Sequence, residues 1–146
     1  MIIQAPNKML NTKCRPVSNK ENISDVLDLM LSDVIKSNGC GIAAPQVGID
    51  KCIIWVCCSA FTGFVINPAI VNWSGKLKKS REGCLSLKGH KLVNVMRDRK
   101  ITIEGIDSDG ERLSIEAKNQ SAFVFQHELD HLNGVTLLDH LKGDSK

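Results

Sequence analysis

The stretch Gln126-His127-Glu128-Leu129-Asp130-His131 carries two of the four histidines of the chain, spaced H-E-x-x-H. It lies inside a longer helical pattern over residues 119–133, which Asn133-Gly134 ends. On a helix, positions i and i+4 share a face about one turn apart. His127 and His131 therefore point the same way and suit a single metal ion. Glu128 follows the first histidine directly and projects beside the metal. A carboxylate placed there suits a base acting on metal-bound water. Chance produces this spacing in only about one chain of this length in several hundred. Phe123 and Val124, one turn before His127, would form an apolar wall beside the metal or ordinary core.

The rest of the chain supplies a setting for that helix. Val26, Leu27, Met30, Leu31, Val34 and Ile35 give residues 22–37 the rhythm of an amphipathic helix, with Asn22 or Ser24 as cap and Gly39 just past its end. Residues 52–58, Cys-Ile-Ile-Trp-Val-Cys-Cys, form a continuous apolar run of strand length. A turn near Thr62-Gly63 leads to two short strands, Phe64–Ile66 and Ile70–Trp73, parted by Asn67-Pro68. Residues 91–95 and 100–106 alternate apolar and polar, and Asp107-Ser108-Asp109-Gly110 turns the chain back into Leu113–Ile115. The tail, Val135–Leu141, is a short apolar segment. These elements predict a single α+β domain over residues 1–146, with largely antiparallel strands around a central H-E-x-x-H helix.

Composition narrows the function. The 146 residues are 42% hydrophobic and 24% charged, which excludes a disordered or fibrous chain. Lys plus Arg is 19 and Asp plus Glu is 16, so the net charge of +3 is too mild to argue for direct nucleic-acid or membrane binding. Four Phe, two Trp and no Tyr leave few surfaces for base stacking. The six cysteines contain no C-x-x-C pair, and the chain is too long and Cys-poor for a secreted disulfide scaffold. The N-terminus lacks signal-peptide and transit-peptide character, and no window approaches 18 apolar residues. The expectation is a cytoplasmic protein without a membrane span.

A catalytic metal site usually has three protein ligands and one open position. Only 15 residues follow His131, and they offer Asp139, His140 and Asp144. Upstream, Glu82-Gly83-Cys84-Leu85-Ser86 places a thiol in a polar, Gly-containing stretch, unlike Cys52, Cys57 and Cys58, which read as buried. A thiolate is a strong ligand for iron, zinc or nickel. Spacing alone leaves the choice open. A third segment, Gly39-Cys40-Gly41-Ile42-Ala43-Ala44-Pro45-Gln46-Val47-Gly48, has a backbone bare enough for a ligand to approach. Gln46 adds an amide donor. By itself this segment is equally a plain Gly-rich loop between helix and strand.

Together the three segments resemble the motifs of the peptide deformylases: G-x-G-x-A-A-x-Q, E-G-C-x-S and H-E-x-x-D-H. Every fixed position is matched, in order, Asp130 included. Val65-Ile66-Asn67-Pro68-Ala69-Ile70-Val71 resembles the family's lead-in to the Cys motif, and Val95-Met96-Arg97 stands where V-P-R is frequent. The resemblance implies that Cys84, His127 and His131 bind one divalent ion, usually Fe²⁺, with Zn²⁺, Ni²⁺ or Co²⁺ as alternatives. It implies that Glu128 moves protons, while the Gln46 amide and the Leu85 N–H donate to the developing oxyanion. Gly41 and Ile42 would pair with the substrate backbone, and Gly83 would also bind substrate. Ile42, Phe123 and Val124 would shape the methionine pocket. The implied substrate is an N-formylmethionyl peptide, and the products are formate and a free amine.

This sequence departs from the family pattern at Met96, which restores a backbone N–H, and at the polar Ser80 and Gln120 near the pocket. The short segment after His131 leaves ribosome docking open, because the resemblance ties that partnership to a longer C-terminal helix. Two other readings compete. A zincin-like peptidase would need a downstream ligand and would leave Cys84 idle. An inactive, metal-stabilised binding module would have no use for Glu128 and would fill all four metal positions with protein ligands.

Overall fold

The apolar run at 52–58 does not alternate, and the fold supplies the reason: its strand is covered on both faces. A computed structural model describes residues 1–144, with side chains through Lys142. In chain order the elements are α1 (Ser24–Lys36), β1 (Gly41–Ala43), β2 (Ile53–Cys57), β3 (Thr62–Trp73), β4 (Leu77–Glu82), β5 (Val93–Asp98), β6 (Lys100–Ile106), β7 (Arg112–Lys118), α2 (Gln120–Leu132) and α3 (Leu137–Asp144). A five-stranded antiparallel sheet runs β1-β2-β3-β6-β7, and β4 and β5 pair separately. The expected α+β class, with antiparallel strands around the H-E-x-x-H helix, is what forms.

Register assigns the two faces. Ile42 opposes Trp55, Ala43 opposes Ile54, and Ile53 opposes Ile66. Successive side chains point to opposite faces. Ile42, Ile53 and Ile66 therefore join Met30 and Val34 of α1 in one core cluster. Ala43, Ile54, Val56 and Val65 join Phe123, Val124 and Phe125 of α2 in another. Phe125 is fully buried, and its loss to Ala would cost about 3–5 kcal/mol.

Helix α1 begins where the Asn22 Oδ1 accepts the Ser24 N–H. It ends with Asn38 at φ 54° while the Gly39 N–H donates to the Val34 carbonyl, a left-handed cap that Asn tolerates. Helix α2 is fixed to β5 by its own side chain. The Gln126 amide donates to the Asp98 carbonyl and accepts the Asp98 N–H, both at 2.9 Å.

Several expectations need correction. Asn67-Pro68 does not end a strand: β3 runs through it, and register shifts between Ile66 and Ala69 mark a bulge. Asn67 takes φ 52° there, and its side chain clasps the Val17 N–H and carbonyl. Pro68, without an N–H, is tolerated at a bulge. Opposite it, a Cβ on Gly105 would lie 2.5 Å from Val65 Cγ1 and 3.0 Å from the Ile66 carbonyl, so the bulge closes only on glycine. The preceding turn falls at residues 58–61, where Cys58 and Phe61 exchange backbone hydrogen bonds. Strand β4 lies outside the strands that patterning predicts, because only Ser80 and Glu82 of its six residues turn inward. The tail folds as α3. Cys57 is exposed, because the end of β2 turns it outward; Cys52 and Cys58 are half-buried.

Candidate metal and hydrolytic site

Helix geometry brings His127 and His131 to one face, their ring centroids 5.2 Å apart and nearly edge-to-face. The third donor arrives from the turn after β4, closed by the Leu87 N–H to the Cys84 carbonyl at 3.0 Å. Cys84 Sγ stands 3.3 Å from His131 Nε2. One donor atom from each of Cys84, His127 and His131 falls within 4.8 Å of the others. Bonds of about 2.1–2.3 Å in a tetrahedron place donors roughly 3.5 Å apart. Two imidazoles and a thiol at that spacing fit a divalent transition-metal ion. The downstream donors are engaged elsewhere: Asp139 accepts the Thr136 N–H, and His140 bonds Asp130. The Asp144 side chain lies outside the described residues.

A chain of buried charges orients the first histidine. His127 Nδ1 meets Glu82 Oε1 at 2.9 Å, which turns Nε2 toward the other donors. Arg97 grips both Glu82 oxygens, Nε to Oε2 at 3.0 Å and Nη2 to Oε1 at 2.8 Å. Its Nη1 donates to Asp130 Oδ2 at 2.6 Å, which His140 Nε2 also meets at 2.8 Å. Sequence gave these residues no role. A buried arginine demands carboxylate partners, but its burial is not visible in the string.

On the other side of His127 a cleft of about 420 Å³ opens. Gly41, Gln46, Gly83, Cys84, Leu85, Phe123, Val124 and Glu128 line it. A Cβ on Gly41 would lie 2.6 Å from Glu128 Oε2, so the bare backbone of β1 makes room for the carboxylate. Gln46 is oriented at both ends. Its Oε1 accepts the Ala43 N–H at 2.9 Å, and its Nε2 donates to Ser86 Oγ at 3.1 Å and lies 3.7 Å from Cys84 Sγ. The Leu85 N–H has no partner among the described residues. Ile42 differs from expectation. Its side chain is fully buried in the α1 cluster and does not line the cleft, because strand alternation turns it away from α2.

The sequence model of the polypeptide deformylases matches residues 1–146. The chain belongs to that family. It is 38% identical over 135 residues to a peptide deformylase of Halothermothrix orenii, spanning 90% of this chain and 86% of that one. It is 37% identical to one from Syntrophomonas wolfei, spanning 94% and 90%. Among solved structures, the deformylase of the Vibrio parahaemolyticus bacteriophage VP16T, bound to actinonin, matches with TM-score 0.89 and 39% identity over 92% of this chain and 98% of that one. Thermotoga maritima peptide deformylase matches with TM-score 0.89 and 32% identity over 96% and 95%. The chain is thus a metal-dependent hydrolase that removes the N-formyl group from new polypeptides, and the zincin-like and inactive readings fall away.

The electrostatics of the deformylase site divide its groups. Burial pushes the Glu128 carboxyl up, to about 7; His127 pulls it down, while Glu82 and Asp130 reinforce the rise. A bound dication would draw it back down. Burial together with the positive His127 and Arg97 holds His131 down at about 3, so its imidazole is neutral and able to donate a lone pair. Burial opposes the charged form of His127, but its contact with Cys84 and the negative Glu128 and Glu82 outweigh it and raise His127 well above the usual value. The same negative surroundings attract a cation. Burial would raise Glu82, yet hydrogen bonds from His127, Arg97 and Ser80 hold it far below the usual carboxylate range.

Proposed function

We propose that residues 1–146 act as one catalytic domain in which Cys84, His127 and His131 hold a divalent ion, Fe²⁺ in the cell, with Zn²⁺, Ni²⁺ or Co²⁺ able to replace it. The convergence of those three donors beside a buried Glu128 oxygen that has no partner among the described residues carries the reading. When bound, the ion supplies Lewis-acid activation of water and of the formyl carbonyl. Glu128 takes a proton from the attacking water and returns one to the leaving amine, which its near-neutral setting suits. The Gln46 amide and the Leu85 N–H donate to the oxygen of the formyl group as charge develops on it. Gly41 and Gly83, both lining the cleft, hold the substrate backbone as an added strand is held. Phe123 and Val124 form the apolar wall for the methionine side chain.

The substrate on this reading is the N-formylmethionyl end of a nascent chain, met in the cytoplasm. Among the described residues no helix is long and apolar enough to cross a membrane. The chemistry needs no ribosome contact, and co-sedimentation with ribosomes tests that partnership separately. The deciding experiment is an anaerobic assay of formyl-Met-Ala-Ser against acetyl-Met-Ala-Ser, with metal content measured in parallel. Formate release from the first, and no cleavage of the second, is the expected result. Iron- or nickel-loaded protein that releases no formate would refute the assigned roles.

A further inference from the structure

The cleft contains one charged side chain that the chemistry above does not use. Arg81 lines it and is exposed, whereas the lining carboxylates, Glu82 and Glu128, are buried. Among the described residues its guanidinium enters no ion pair or hydrogen bond. Strand β4 explains its direction. Ser80 and Glu82 face inward, so Arg81 and Lys79 share the outward face, roughly 7 Å apart at strand spacing. Their cross-strand partners are Asn94 and Met96, and neither is acidic. The outward face of β4 therefore presents two unneutralised cations, the first on the wall of the cleft.

Distance along the chain sets what Arg81 meets. It stands three residues before Cys84, and three extended residues span at most about 10–11 Å. An extended peptide advances about 3.3 Å per residue. A peptide lying along the Arg81–Leu85 wall with its formyl group near Cys84 thus brings its second or third residue beside Arg81. We propose that Arg81, with Lys79 behind it, is a specificity determinant that favours peptides bearing a carboxylate at the second or third residue, counting the formylated methionine as the first. This rests on the deformylase reading of the site and adds the substrate class that the site prefers.

The test compares formyl-Met-Ala-Asp-amide with formyl-Met-Ala-Lys-amide and formyl-Met-Ala-Ser-amide on metal-loaded protein. Wild type should favour the aspartyl over the lysyl peptide in kcat/KM by about fivefold, the size an exposed ion pair supports. The ratio should shrink toward one at 0.5 M salt, where the screening length is only about 4 Å. It should survive in Arg81→Lys, vanish in Arg81→Gln and invert in Arg81→Glu, with melting temperatures confirming that all three are folded. A wild-type ratio of one, or one that Arg81→Glu leaves unchanged, overturns the proposal while formate release still supports the site. Failure on all three peptides refutes the site itself, and the proposal falls with it.

Discussion

Asp98 and Glu128 are buried to nearly the same degree, 3% and 4% exposed, and the chain surrounds them in opposite ways. Asp98 closes the turn between β3 and β4 against the turn between β5 and β6. Its carboxylate accepts from the Ser74 hydroxyl and from the backbone N–H groups of Ser74, Gly75 and Lys100. Burial pushes this carboxyl up, but those donors override it and lower it below its ordinary value. Among the described residues one buried Glu128 oxygen has no partner, and burial raises the carboxyl to about 7. An unsatisfied buried carboxylate costs stability. The fold accepts that cost at the cleft, where the proposed chemistry moves a proton, and avoids it at the turns, where only shape is needed.

The largest break in this comparison comes from removing the unsatisfied member. Glu128→Ala should lower formate release by about 10³-fold or more, within the range of a lost general base, while the metal stays bound. Retention of substantial deformylation would end the assignment. Next is Arg97, which neutralises the buried Glu82. Arg97→Met should destabilise the fold by about 3–5 kcal/mol, because it strands a buried charge. It should also weaken metal binding by about 10–100-fold through the loosened His127. Urea denaturation and chelator competition measure the two effects. A well-folded variant with unchanged metal affinity would show that Glu82 orients His127 without help.

Much of this site was legible in the string because its spacing is local. H-E-x-x-H sets two candidate donors on one face by helix period alone, and in the fold Cys84, Gln46 and Leu85 lie around them. Side-chain direction was harder. Ile42 was expected in the pocket, yet one step of strand alternation sends it into the α1 core. The Glu82–Arg97–Asp130 chain joins residues 15 and 33 positions apart, and nothing periodic announces such pairings. In the fold, a polar edge strand and a Pro-bearing bulge hid β4 and the continuity of β3, because neither shows the alternation by which half-buried strands are read.

A smaller change sharpens the contrast at the Glu128 side. Gly41→Ala would place a Cβ 2.6 Å from Glu128 Oε2, so either the carboxylate or β1 must shift. A displacement near 1 Å in a catalytic group costs about 10²-fold in rate. We expect a loss of that order in kcat, with melting temperature and metal content near wild type. Unchanged kcat would mean that Glu128 works from another rotamer.

The smallest effect concerns Asp98, and its pH dependence reveals the sign of the comparison. The unfolded carboxyl titrates at about 3.9, and the folded one lies below that. The unfolded chain therefore takes up the proton first. The contribution of Asp98 is fully present above about pH 4 and is lost as pH falls through the folded value. Asp98→Asn replaces an acceptor-only group with one that turns a donor toward the Ser74, Gly75 and Lys100 donors. Its cost should be about 1–2 kcal/mol at pH 7. That gap from wild type should narrow in urea titrations taken from pH 5 down to pH 2.5. A gap that stays constant would mean that these donors recognise the shape of the group and not its charge. In that case Asp98 and Glu128 would differ in hydrogen bonding alone.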